Sequence, residues 1–173
     1  MEGNGPASAP HRTPSPDRTE RFDVVIVGAG ISGIGGACML RRRFPQMRFL
    51  ILEAMESFGG TWLIHKYPGA RSDSDLYTFG YEFKPWQGHP IASRKQILDY
   101  LGSVIDDAQL TPHIRYRHRI ESASWSGTSQ AWTLDVATGQ GDEVIAVEAG
   151  FLWMCQGYYR HSAGFTPAWP GLD

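Results

Sequence analysis

The sequence predicts an α/β fold, a parallel sheet that opens with a β-α-β unit and ends in an antiparallel β-meander. Three observations carry this expectation. Phe22-Asp23-Val24-Val25-Ile26-Val27 is a β-branched run that ends in glycine, the pattern of a strand buried on both faces. A helical stretch over 31–43 follows, closed by Arg41-Arg42-Arg43 at its negative end and stopped by Pro45, and a second apolar strand covers 48–53. Two strands joined by a helix run parallel through a right-handed crossover. Further on, Arg117–Trp125, Ala131–Val136 and Val144–Ala149 are strand-like runs separated by Gly/Ser/Thr turns, which read as a meander.

The remaining elements follow in order. Residues 1–20 hold four of the 11 prolines and almost no apolar side chains, so they are expected to be a disordered tail without the apolar core of a secretion signal. Order is expected from Phe22, with residues 21–173 forming one domain. Residues 54–92 are rich in loops, glycine and aromatics. Ser93-Arg94-Lys95-Gln96 reads as a capping box, and the helix behind it sets Ile97, Tyr100, Leu101, Val104 and Ile105 on one face. Phe151-Leu152-Trp153-Met154-Cys155 reads as one more strand, with Gly157 as a sharp turn.

Composition narrows the function classes. Lys and Arg total 16 against 18 Asp and Glu, a net charge of −2, which gives no electrostatic case for nucleic acid or an anionic membrane surface. There is no apolar run long enough to span a membrane. Two cysteines, Cys38 and Cys155, form no disulfide framework and no zinc motif, which points to a reducing, cytoplasmic setting. The histidines are scattered without metal-ligand spacing, so no metal site is expected.

Gly28-Ala29-Gly30-Ile31-Ser32-Gly33 is a G-x-G-x-x-G motif between a strand and a helix. Gly28 permits the tight turn, Gly30 lets the backbone approach a pyrophosphate, and Gly33 lets helix and strand pack closely. Glu53 stands 20 residues after Gly33, where a carboxylate accepts from adenosine ribose hydroxyls. An acid there disfavours a 2′-phosphate and points to FAD or NAD in a Rossmann-like unit. Six residues past the acid comes Gly59-Gly60, a second place for close backbone approach, which favours FAD. Ser32 has no placed His/Asp partner, and capping of the helix start accounts for it. The alternating Trp125, Trp132 and Trp153 are expected in the core, and Trp62 and Trp86 at the site.

Gly59-Gly60-Thr61-Trp62 resembles the FAD loop of class B flavoprotein monooxygenases, the flavin-containing and Baeyer–Villiger monooxygenases. Tyr67-Pro68-Gly69-Ala70-Arg71-Ser72-Asp73-Ser74-Asp75-Leu76-Tyr77 is similar to the segment that follows in Baeyer–Villiger enzymes. With Phe83-Lys84-Pro85-Trp86 it looks most like the ethionamide monooxygenase branch. Cys155-Gln156-Gly157-Tyr158-Tyr159 fits the family's third glycine turn. The resemblance implies FAD held by Gly28, Gly30, Ser32, Gly33, Glu53, Gly60, Thr61 and Trp62, with the Ile120 backbone at the adenine and Tyr77 near the flavin. It implies that Asp73 lies by the flavin and pairs with an arginine from another domain, and that Arg71, Ser72 and Asp73 border the nicotinamide of NADPH. It further implies dioxygen activation as a C4a-peroxyflavin and oxygenation of a ketone, thioether or amine. The flavin supplies that chemistry, and the protein supplies position and exclusion of water.

The sequence also departs from the family. It has no second G-x-G-x-x-G for NADPH and no F-x-G-x-x-x-H-x-x-x-W fingerprint. The chain is therefore expected to be the N-terminal FAD part of a monooxygenase, incomplete relative to the family. Such a part arises from a truncated frame, a split gene with the other half on a separate chain, or a fragment. An alternative is a catalytically inactive FAD-binding remnant. The meander and last strand are expected to leave apolar surface poorly covered. An amine oxidase would carry Arg after the Gly-Gly, and a disulfide reductase would need a nearby cysteine pair.

Overall fold

The computed structural model describes residues 19–139, 141 and 143–171. Most of the expected N-terminal tail lies outside the described residues. Strand β1 (Glu20–Val27) is followed by α1 (Ile31–Arg43) and β2 (Phe49–Leu52). Two single-turn helices, α2 (Thr61–Ile64) and α3 (Leu76–Phe79), interrupt the loop-rich stretch before α4 (Arg94–Asp107). Then come β3 (Ile114–Arg115), β4 (His118–Ser126), β5 (Ala131–Thr138) and β6 (Glu143–Met154). All six strands form one sheet in the order β3-β2-β1-β6-β5-β4. Strands β3, β2, β1 and β6 run parallel, whereas β6-β5-β4 is the antiparallel meander.

Alternation along β1 and β2 builds two cores. Val24, Ile26, Phe49 and Ile51 face α1 and α4, where Ile34, Ala37, Leu101 and Val104 close the first core. Val25, Leu50 and Leu52 point the other way and pack with Leu134, Val136 and Val147 of the meander. A strand apolar on both faces thus holds helices on one side and curled β-structure on the other.

Helix α1 has the bounds that the sequence predicts. Helix α4 has the predicted capping box: the Ser93 hydroxyl accepts the Gln96 N–H at 3.4 Å, and the Gln96 side chain accepts the Ser93 N–H at 2.9 Å. All five residues of its predicted apolar face are buried. Ser93→Ala should lower stability by about 1 kcal/mol, read as a lower urea midpoint with an unchanged slope.

Four details differ from the sequence reading. Strand β1 begins at Glu20, two residues before Phe22, because Glu20 and Arg21 pair with Val147 and Glu148 of β6; Arg115 also holds the Glu20 carboxylate through bonds of 2.8 and 2.7 Å. The two runs 144–149 and 151–155 are one strand, β6, antiparallel to β5 in its first half and parallel to β1 in its second. Trp125 and Trp153 are 48% and 36% exposed, so they are not core residues, while Trp132 is half-buried against the second core. Ser32 does not cap α1: Gly30 is the N-cap, and no side chain caps the helix. The apolar surface expected on the last strand is present, with Phe151 at 59% and Met154 at 55% exposed.

Candidate functional site

The glycine turn sits at the carboxyl end of β1, where the backbone must leave the sheet and enter α1. Gly28 has φ +101°, a left-handed value that favours glycine. Its N–H donates to the Leu52 carbonyl at 2.8 Å, and a Cβ on it would stand 2.8 Å from the Cys155 carbonyl oxygen. A Cβ on Gly33 would stand 1.9 Å from the Gly28 carbonyl oxygen. Both glycines therefore serve close packing of turn, helix and sheet. Helix α1 has no side-chain cap and no acid within its first turn, so no side chain of that turn takes up its N–H groups. That is the arrangement of an anion-binding helix start.

Ala29 ties the three separate motifs together. Its N–H donates to Glu53 Oε2 at 2.7 Å. Its carbonyl accepts the Gly59 N–H at 2.9 Å. The second glycine loop thus crosses directly over the first, and a Cβ on Gly60 would lie 3.2 Å from the Gly30 Cα. Gly59 and Gly60 have φ of +126° and +54°, so this crossing depends on residues without side chains. Trp62 follows in α2, with its N–H on the Gly59 carbonyl at 3.1 Å and its ring against the first core. Thr61 opens α2 beside it.

Glu53 is 7% exposed. Its second oxygen, Oε1, accepts the Met55 N–H at 2.8 Å. Its own N–H donates to the Arg115 carbonyl and its carbonyl accepts the His118 N–H, both at 2.9 Å. The segment 114–118 is therefore the mould that fixes the acid. Tyr116 lies close enough that burial first, and the Glu53 charge second, push its phenol up. Ile120 continues from this segment along β4, half-buried against the second core and opposite Val136.

The other predicted residues sit on a separate strip. Arg71 pairs with Ser93 as an antiparallel bridge, and the Ser72 N–H donates to the Ala92 carbonyl at 2.9 Å. Extended backbone alternates its side chains. Ser72 is accordingly buried, with its hydroxyl accepting the Ala92 N–H at 3.1 Å, while Arg71 and Asp73 are exposed. Among the described residues no ion pair joins Arg71 to Asp73; Asp73 accepts from the Ser74 hydroxyl at 3.2 Å and Arg71 Nε donates to the Gly69 carbonyl at 3.2 Å. Tyr77 is exposed and donates to the Gly88 carbonyl at 2.9 Å. Past β6, the His161 ring meets the His65 ring edge-on at 5.5 Å, so the chain there returns to the segment that follows α2.

Two contributors, Ala29 and Tyr81, escaped the sequence reading, whereas Gly59 was read as a place of close backbone approach. Ala29 and Gly59 act through backbone atoms. Tyr81 donates its hydroxyl to the Ile31 carbonyl and braces the start of α1 from behind; burial holds its phenol far above the ordinary value. No local pattern marked either Ala29 or Tyr81. Among the described residues no group of three or more His, Cys, Asp or Glu side chains is placed to hold a metal, and no helix is long and apolar enough to cross a membrane.

A glycine turn at a strand's carboxyl end, a helix start open to an anion and a buried acid at the end of the next strand define a dinucleotide-binding fold. The residues fit an adenine dinucleotide, because a Cβ at Gly60 would close the gap between the two loops. Comparison with known proteins makes this specific. Residues 16–66 match the sequence model of the Thi4 family. The chain is 44% identical over 156 residues to the FAD-containing monooxygenase EthA of Mycobacterium tuberculosis, covering 90% of this chain and 32% of EthA. It is 43% identical over 152 residues to the probable FAD-binding monooxygenase AlmA of an Acinetobacter species, covering 87% of this chain and 30% of AlmA. Among solved structures, a steroid monooxygenase bound to NADP superposes with a TM-score of 0.72 at 33% identity, covering 88% of this chain and 29% of that one. The complex of OTEMO with FAD and NADP gives 0.70 at 28% identity, covering 90% and 29%. FAD-containing monooxygenases are thus homologues of this chain, which spans about a third of the length of the curated relatives it matches.

Proposed function

We propose that residues 21–173 are the FAD-binding part of a flavin- and NADPH-dependent monooxygenase that oxygenates a small ketone, thioether or amine. The observation that supports this reading best is the convergence on Ala29 of the glycine turn, the Glu53 carboxylate and the Gly59-Gly60 loop. In this reading the α1 start and the Gly30/Gly60 crossing hold the pyrophosphate, Glu53 accepts from the adenosine ribose, and Thr61 and Trp62 border the ribityl chain. Ile120 lies on the adenine side. Bound FAD supplies the redox and oxygen chemistry. The protein's own part is to orient it and to present Arg71, Asp73 and Tyr77 along the edge where NADPH approaches, while the buried Ser72, against the expectation that it borders the nicotinamide, pins that strip to Ala92. In this reading the exposed Asp73 carboxylate pairs with an arginine from another domain, on the same or a separate chain, in the cytoplasm.

A chimera tests the monooxygenase reading: residues 21–171 replace the matching segment of the mycobacterial relative, and thioether oxidation with NADPH is followed. Sulfoxide formation that depends on NADPH is expected. A chimera that retains FAD yet forms no sulfoxide overturns the reading. The second reading is an FAD-binding chain without turnover. A chimera that stays silent while the chain itself binds FAD would favour this second reading.

A further inference from the structure

A cavity lies at the far end of α1, roughly 15 Å along the helix axis from Gly30. Its volume is about 360 Å³, within the range of small-molecule sites. Its lining has two characters. Cys38, Val104 and Ala108 give it an apolar floor between α1 and α4. Arg41, Arg42 and Lys84 stand on its rim with only Asp107 as an opposing acid.

The three cations are in different states. Lys84 is paired with Asp107. Both terminal nitrogens of Arg41 are bound to Gln109, to its carbonyl and to its side-chain oxygen, each at 2.9 Å. The Arg42 side chain has no hydrogen bond or ion pair among the described residues. Its guanidinium lies 4.5 Å over the Phe83 ring, whose other stacking partner, Tyr81, is 4.8 Å away. Stacking fixes the guanidinium plane and leaves its N–H edges unspent, a preorganised receptor for a carboxylate. The floor offers no competing charge, because burial pushes the Cys38 thiol up despite the neighbouring arginines.

We propose that this cavity binds an amphipathic carboxylate, with the carboxylate on Arg42 and an apolar chain on the Cys38, Val104 and Ala108 floor. The site is separate from the dinucleotide turn and does not depend on it. Octanoate is the probe, titrated into the FAD-loaded 173-residue chain by calorimetry, with acetate, octanol, Arg42→Gln and Arg43→Gln as comparisons. Arg43 does not line the cavity, so its variant makes the same change in net charge without touching the site. Octanoate should bind saturably, acetate and octanol should bind at least tenfold more weakly, and Arg42→Gln should weaken octanoate by about tenfold or more with FAD retention unchanged. Arg43→Gln should bind as the parent does. The proposal is overturned if octanoate does not bind, if acetate or octanol matches it, or if the Arg42 and Arg43 variants lose affinity equally.

Discussion

Gly33→Ala should unfold the nucleotide turn. The new Cβ would stand 1.9 Å from the Gly28 carbonyl oxygen and 3.4 Å from Ile26 Cγ2. The first neighbour is backbone, so no rotamer change relieves it. Helix α1 would have to retreat from β1 by roughly 1 Å, in an interior where packing transmits such strain. That retreat loosens Ile34, Ala37 and Cys38 from the first core and moves the N–H groups at the helix start. A loss on the order of 3 kcal/mol is expected, at the upper end for overpacking, together with loss of FAD. Urea unfolding checks the first and flavin retention the second. Gly127→Ala is the control: nothing lies within 4 Å of its added Cβ, so it should stay within about 0.5 kcal/mol of the parent. A Gly33→Ala protein that unfolds with Gly127→Ala and keeps FAD would refute the packing role assigned to Gly33.

Glu53→Gln should weaken FAD binding on the order of 10–100-fold. Both carboxylate oxygens accept backbone N–H groups, from Ala29 at 2.7 Å and Met55 at 2.8 Å. An amide replaces one acceptor by an NH₂ donor, which then faces another donor in a buried place. An unmet group of this kind costs about 1–3 kcal/mol. The cost falls on the turn that carries the pyrophosphate and on the acceptor for the ribose together. Glu56→Gln is the matched control, an exposed acid 3.8 Å from Lys66, and should leave affinity unchanged. Fluorescence titration of FAD compares the two. Equal affinities for both variants would remove Glu53 from the site.

The β-α-β start was legible because its signals are local. Glycine marks where β1 ends, and three arginines with Pro45 mark where α1 ends. The capping box of α4 was legible for the same reason. The fusion of two runs into β6 was not. Gly150 reads as a breaker, yet it is inside the strand because a Cβ there would stand 3.1 Å from the Asp23 carbonyl oxygen. Glycine here permits close approach of β1 rather than a turn. Strand β3 has two residues and exists through its pairing with β2, which no local pattern encodes. Alternation told which side Trp125 and Trp153 take, but not whether that side is covered. At the site, Gly28, Gly33 and Glu53 were readable as a spaced motif. The link through Ala29 was not, since it uses only main-chain atoms, and the burial of Ser72 depends on a partner 20 residues away.

The most direct test is the absorbance spectrum of the purified chain after incubation with FAD and desalting. A structured flavin band that elutes with the protein, with quenched flavin emission, is the expected result. Flavin that separates completely from a folded protein would contradict the assignment of the Ala29 junction as a dinucleotide site.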